Sequence, residues 1–249
     1  MRVEVFTFCW NEMSILPWAV DYWRKYASHV TVYDNGSTDG SLQYLQAQGD
    51  WVTVIHFETG GQINDTLLRD MKNNVWKQAR NRADLVVVCD MDEMLCGRDV
   101  VQSLATMLRV GGTVSCPQWY DLVSDEVPVF NGQSLHKIRP LAVSIQEYPK
   151  AIVFDPNAID EINYEYGAHR CHPVGKVRWF GGGLFTLHTN HNLSFEHKLE
   201  RYRVMKSRLS DINKELGHGI HYSFSDKTLL AEWKEKRKMA VNFGAIVGD

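Results

Sequence analysis

The chain has 249 residues, 44% of them hydrophobic and 23% charged, with a formal net charge of −3. That length suits one large α/β domain or a domain with a small appendage. The small negative charge offers no broad field to nucleic acid or anionic lipid, so nucleic acid is not expected as a partner. No apolar run approaches the roughly 20 residues that cross a bilayer. The opening MRVEVFTFCWNE enters a strand pattern at once and lacks the form of a signal peptide. Cys9, Cys89, Cys96, Cys116 and Cys171 are odd in number and contain no CxxC pair. Free thiols in a reducing, cytoplasmic setting are expected, with peripheral membrane contact left open.

The pattern predicts a strand over 3–9 and a helix over 13–26, with Ser14 as cap and Pro17 in the first turn. A strand over 30–33 runs into Asp34-Asn35-Gly36-Ser37-Thr38-Asp39-Gly40, dense in turn and capping residues. A helix over 41–48, a strand over 52–57, a long polar helix over 64–82 and a strand over 86–89 follow. This alternation predicts βαβ units and a wound parallel sheet. Beyond residue 97 the expectation is a helix over 100–109, a strand over 113–118 and an irregular stretch over 120–192. Strand-like pieces within it fall at 152–154 and 184–187. Phe195, Leu199, Tyr202, Met205, Leu209, Ile212 and Leu216 recur at helical steps, predicting an amphipathic helix over 194–216; a last helix covers 227–242.

The run VVVCDMDEML, residues 86–95, carries the most chemistry. A short valine-rich run reads as a strand buried on both faces of a parallel sheet. In open α/β sheets, ligands bind beyond the carboxyl ends of the strands. Asp90, Asp92 and Glu93 crowd that place, and crowded carboxylates suit a hard divalent cation such as Mg²⁺ or Mn²⁺.

Three motifs occur in order, each at the end of a strand: Phe8-Cys9-Trp10-Asn11-Glu12, then Val32-Tyr33-Asp34-Asn35-Gly36-Ser37-Thr38-Asp39-Gly40-Ser41, then Cys89-Asp90-Met91-Asp92-Glu93. Together they resemble glycosyltransferase family 2 and its relatives with the GT-A fold. The Asp-Met-Asp-Glu form, a later Pro149-Lys150 and a histidine followed by a helix resemble a less typical branch of that group. The likeness is specific over about residues 3–97 and looser beyond.

The resemblance implies an α/β, GT-A-like wound, mostly parallel sheet flanked by helices, with a C-terminal acceptor-side elaboration. It implies one domain over 1–249, with 1–97 as the nucleotide-sugar half and 98–249 as the acceptor and site-completing half. The activity implied is metal-dependent, inverting transfer of a sugar from a UDP- or GDP-linked donor to a hydroxyl of a saccharide or glycoconjugate. Mn²⁺ or Mg²⁺ would offset charge on the departing diphosphate. Asp92 is expected on the metal and Asp90 on the ribose, the metal or both. Asn11, Glu12, Asp34 and Asn35 are assigned to the nucleotide, with Asp34 accepting from a uracil-type base edge. Trp10 either stacks on the base or packs.

Further residues follow from the resemblance. Arg69 points at the diphosphate or is a solvated helix charge. Lys150 binds a phosphate or the donor sugar, or is a surface lysine. His188 is chosen to complete the metal shell, with His191 and His169 as runners-up. The base that removes the acceptor proton is sought at Glu161 and Asp155, then Glu93. Trp119, Tyr120, Trp179 and Phe180 are candidate sugar-stacking rings. Rival readings are a nucleotidyltransferase making nucleotide-sugars, a metal-dependent hydrolase, and a non-catalytic carbohydrate or zinc-binding module. The zinc set would be His169, Cys171, His172, His188 and His191.

Overall fold

The structure, a computed structural model, describes residues 1–146 and 150–248. Pro149 of the Pro149-Lys150 pair therefore lies outside the described residues. The first half runs β1 (Val3–Cys9), α1 (Leu16–Arg24), β2 (His29–Asp34), α2 (Ser41–Gln46), β3 (Val52–His56), α3 (Asp65–Asn74), β4 (Leu85–Asp90) and β5 (Glu93–Cys96). Then come α4 (Val100–Arg109), β6 (Val114–Ser115), β7 (Gln118–Leu122), α5 (Leu135–Ile138), β8 (Leu141–Ile145), β9 (Val153–Phe154), β10 (Ile159–Glu161) and β11 (Val174–Gly175). The chain continues through β12 (Trp179–Phe180), β13 (Phe185–His188), α6 (Phe195–Ser207), α7 (Asp211–Glu215), α8 (Asp226–Met239), β14 (Val241–Asn242) and α9 (Phe243–Val247).

The α/β class expected is the class observed. A seven-stranded sheet has the order β12-β6-β9-β4-β1-β2-β3. Only β9 runs against its neighbours β4 and β6; β1, β2, β3 and β4 pair in parallel. Along β1 and β4, Val3, Val5, Leu85 and Val87 enter one apolar cluster, while Phe6, Phe8, Val86 and Val88 enter another. Such double-faced burial needs helices on both sides of the sheet. A second, five-stranded sheet has the order β14-β8-β7-β13-β5. Both sheets draw strands from either side of residue 97: β5 pairs with β13, and β9 with β4.

Three predicted elements are divided. The strand over 113–118 splits at Cys116-Pro117 into β6 of the first sheet and β7 of the second. Proline has no N–H for the ladder, so the chain changes sheets there. The helix over 64–82 ends at Asn74 and continues as a 3₁₀ turn, Val75–Ala79, which buries Trp76 and Ala79. The helix over 194–216 breaks after Ser207. Arg208 O and Ser210 N bond to the backbone of Ile63, and Ser210 then caps α7 by accepting from Asn213 N. Among the described residues, the five cysteines are free, and no helix is long and apolar enough to cross a membrane.

Candidate active site

Parallel pairing brings three strand ends to one edge of the sheet. Cys9 of β1 lies opposite Asp34 of β2, and Phe8 lies opposite Asp90 of β4. Past these ends, the turns carry Asn11, Glu12, Asn35 and Asp92. Asn11 takes a left-handed φ of 53°, which lets its backbone N–H donate to Ser37 Oγ at 2.9 Å while its Oδ1 accepts from Thr38 N at 2.7 Å. Asp34 is 1% exposed, and its Oδ2 accepts from Gly36 N and Ser37 N, both at 3.0 Å. Its Oδ1 is buried and has no hydrogen-bond partner among the described residues. A buried acceptor left unpaired is costly unless a ligand supplies the donor. Asn35 exchanges hydrogen bonds with Thr59 Oγ1 at 2.9 and 3.1 Å, which shapes the loop.

The acidic turn is internally charge-balanced. Lys72 of α3 contacts Asp90 Oδ1 at 2.6 Å and Oδ2 at 2.8 Å. Lys150 is 1% exposed; its Nζ donates to Glu93 Oε1 at 2.7 Å and Oε2 at 2.6 Å, and reaches Asp90 Oδ2 at 3.3 Å. Glu93 Oε2 also accepts from Asp90 N at 2.9 Å. Burial opposes the ionised form of Asp90, but Lys72 and Lys150 outweigh it and hold the carboxyl well below its usual range. Burial likewise disfavours the Lys150 ammonium, and Glu93 and Asp90 more than offset it.

His188 joins the second carboxylate of the turn to the second sheet. Its Nε2 lies 3.2 Å from Asp92 Oδ2, and its Nδ1 lies 2.9 Å from Asp121 Oδ1. Burial alone would lower the His188 pKa; Asp92 and Asp121 instead raise it to about 10. His191 and His169 behave in the opposite way. Burial takes His191 down to about 3 against the pull of Asp92; His169, largely exposed, is lowered by partial desolvation with Lys150 adding to the effect.

Helix α6 forms a further wall. Arg201 donates to Asn11 O at 2.8 Å and to Glu12 Oε1 at 2.6 Å. Burial raises the Glu12 carboxyl to about 8, and Arg201 opposes that rise. Trp10 has the Arg208 guanidinium 3.2 Å from its ring centre and Arg201 at 5.5 Å, so one face is already covered by protein. Arg69 donates to Asp70 and lies 4.3 Å over the Tyr166 ring, one helical turn before Lys72.

The base candidates do not gather here. Phe154 pairs antiparallel with Val86, four residues before Asp90, so Asp155, one residue further, stands about 16 Å of extended strand away, at the opposite edge of the sheet. There it lines a cavity of about 690 Å³ with Thr113, Asn157, Lys176 and Arg178. Glu161 makes an ion pair with Lys77 at 2.7 Å, and its side chain is 47% exposed. Glu93 is at the turn but is enclosed by Lys150 and Asp90 N. Lys150 is no surface lysine, because the turn's carboxylates need a buried counter-charge. Trp119 and Tyr120 are core residues: Trp119 packs edge-on against His188 at 5.0 Å, and Tyr120 against Phe243 at 4.7 Å.

The proposed zinc set does not converge either. His172 pairs with Glu165 on the surface, and Cys171 is in a backbone bridge with Tyr164. Among the described residues, Asp92, Glu93 and His188 form the group whose ligand atoms lie within 4.8 Å of one another. Sequence reasoning missed Lys72, Asp121, Arg201 and Lys236. Lys72 is three residues after Arg69 and so shares its helix face. Asp121, a lone acid in the apolar strand QWYDL, was the other legible signal.

No protein-family model matches the sequence, and no curated protein matches it. Among solved structures, TarS 1–349 of S. aureus is 12% identical with a TM-score of 0.46, over 91% of this chain and 73% of that one. The longer S. aureus TarS gives 12% and 0.48, over 95% of this chain and 43% of that one. Glucosyl-3-phosphoglycerate synthase from Mycobacterium tuberculosis, in complex with Mn²⁺, UDP and glucosyl-3-phosphoglycerate, gives 20% and 0.32, over 47% and 44%.

Proposed function

We propose that this protein is a glycosyltransferase that moves a sugar from a nucleotide-diphosphate sugar to a hydroxyl of a saccharide or glycoconjugate. The observation that carries the reading is the convergence of Asp34, Asp90 and Asp92 at one edge of the sheet, with Asp34 Oδ1 buried and unpaired. An unpaired acceptor there suits the N–H of a uracil or guanine edge. The ring of acceptors and cations beyond it, Asn11, Lys72 and Arg201, suits a ribose and diphosphate.

The donor set fits a hard divalent cation, Mn²⁺ or Mg²⁺. Asp92 Oδ2 and His188 Nε2 are 3.2 Å apart, close to the roughly 3 Å between neighbouring ligands of an octahedral ion with bonds of about 2.1 Å. Asp92 and His188 would hold it, with the carboxylates of Asp90 and Glu93 beside them. When bound, the ion would stabilise charge on the leaving diphosphate. Lys72 adds a fixed ammonium at the same place. Inversion, by direct attack of the acceptor hydroxyl opposite the leaving group, belongs to the proposal. In this reading Asp155 and Glu161 are surface carboxylates and Glu93 anchors the turn. A nucleotidyltransferase is disfavoured, since Cys9-Trp10-Asn11-Glu12 offers no Gly- and Lys-rich triphosphate loop.

Calorimetry with UDP, GDP and CDP, each with and without Mn²⁺, tests this. One nucleotide should bind with metal dependence, and Asp92→Ala should remove that dependence. Binding of none of the three overturns the reading.

A further inference from the structure

Asp121 sits on β7 directly opposite His188 on β13, and it is 2% exposed. A carboxylate at the centre of a buried strand is costly unless its oxygens are fully engaged. They are. Oδ1 accepts from Trp119 Nε1 at 3.3 Å and faces His188 Nδ1 at 2.9 Å. Oδ2 accepts from Asn190 Nδ2 at 3.1 Å and from Lys236 Nζ at 2.5 Å. Lys236 comes from α8, a helix far along the chain whose Trp233 is buried.

These contacts leave the Asp121 carboxylate no freedom to turn. Lys236 and Asn190 occupy one oxygen, so the other is fixed against the imidazole. A carboxylate oxygen only accepts, so a neutral His188 must carry its hydrogen on Nδ1 and present a lone pair at Nε2. Nε2 is the atom beside Asp92.

We propose that Asp121 and Lys236 are positioning residues that fix the tautomer and aim of His188, so that the seating of α8 helps set the cation affinity of the site. This rests on reading Asp92 and His188 as cation ligands. Partners behind a metal-binding histidine are commonly worth 10–100-fold in affinity.

The test is calorimetric Mn²⁺ binding to the full chain at one pH without nucleotide. Asp121→Asn should weaken binding roughly 10–100-fold, because a carboxamide can turn its NH₂ toward Nδ1 and select the other tautomer. Lys236→Met should also weaken it, and Lys236→Arg should restore most of the loss. Asp121→Asn and Lys236→Met each lose one member of a largely buried charge pair and should melt lower, so affinities are compared at a temperature where every metal-free variant is fully folded. Unchanged Mn²⁺ affinity in both Asp121→Asn and Lys236→Met, with normal binding by the unmodified protein, overturns the positioning role and leaves the metal reading standing. A loss that Lys236→Arg does not repair overturns the part given to Lys236. Absence of Mn²⁺ binding by the unmodified protein overturns both.

Discussion

Lys150 closes on Glu93 through both carboxylate oxygens, at 2.6 and 2.7 Å, and neither side chain reaches solvent appreciably. The pair lies beneath the acidic turn and joins the segment after β8 to the start of β5. Removing one member leaves an uncompensated buried charge, which typically costs about 3–5 kcal/mol. Lys150→Met should therefore lower urea stability by that order. The double variant Lys150→Met with Glu93→Gln should recover a substantial part. A double variant no more stable than the single one would show that the lysine acts through packing instead.

Asp34 divides its two oxygens between structure and ligand. Oδ2 holds the turn through Gly36 N and Ser37 N, while Oδ1 has no partner among the described residues. Asp34→Asn should cost about 1 kcal/mol of stability through weakened turn bonds. It should also lower nucleotide affinity at least roughly tenfold, since one charged hydrogen bond is lost. Calorimetry and urea titration on the same variant separate the two effects.

Asp155 and Glu161 are placed away from the turn, at the far edge of the sheet and in a surface ion pair. If the proposed transfer is the activity, Asp155→Asn and Glu161→Gln should each retain turnover within a few-fold of the unmodified protein, with donor binding intact. A loss of turnover without loss of donor binding in either variant would return that residue to the role of base.

Acid should destabilise the fold through His169. Partial desolvation of this largely exposed ring, then Lys150 and His188, lower its pKa toward 4, against 6.5 in the absence of the fold. The unfolded chain thus takes up a proton that the folded one refuses. The contribution is complete above about pH 6.5 and is lost as the pH falls toward 4; because His169 is exposed, solvent screening keeps it well below the full value of the shift. Urea midpoints at pH 7, 5.5 and 4.5 should fall with pH, and less steeply in His169→Gln.

Much of the sheet was legible because a strand buried on both faces writes itself as an unbroken apolar run. β1 and α4 match their predicted bounds, and the end of β4 at Asp90 follows from the charge that begins there. The division of 113–118 was also readable in principle at Pro117. The break at Ser207 was not, because it depends on Ile63, which is distant in sequence and supplies the competing backbone bonds.

Local sequence was enough for the α/β class, for the parallel run of the first four long strands and for the delivery of Asn11, Asp34, Asp90 and Asp92 to strand ends; the order of those strands in the sheet was not legible. The legible features are local consequences of apolar runs, turn residues and their alternation. Tertiary structure alone decided which charges meet. Lys72, Lys150, His188, Asp121, Arg201 and Lys236 lie on separate elements, and no periodicity records their pairing. Their partners are chosen by the register of β7 on β13 and the packing of α3, α6 and α8. The resemblance pointed to Asp155 and Glu161 as bases only by their place downstream of the acidic turn, and chain position likewise gave no sign of Lys72. Distance along the chain carries no information about which end of a strand a residue finally occupies.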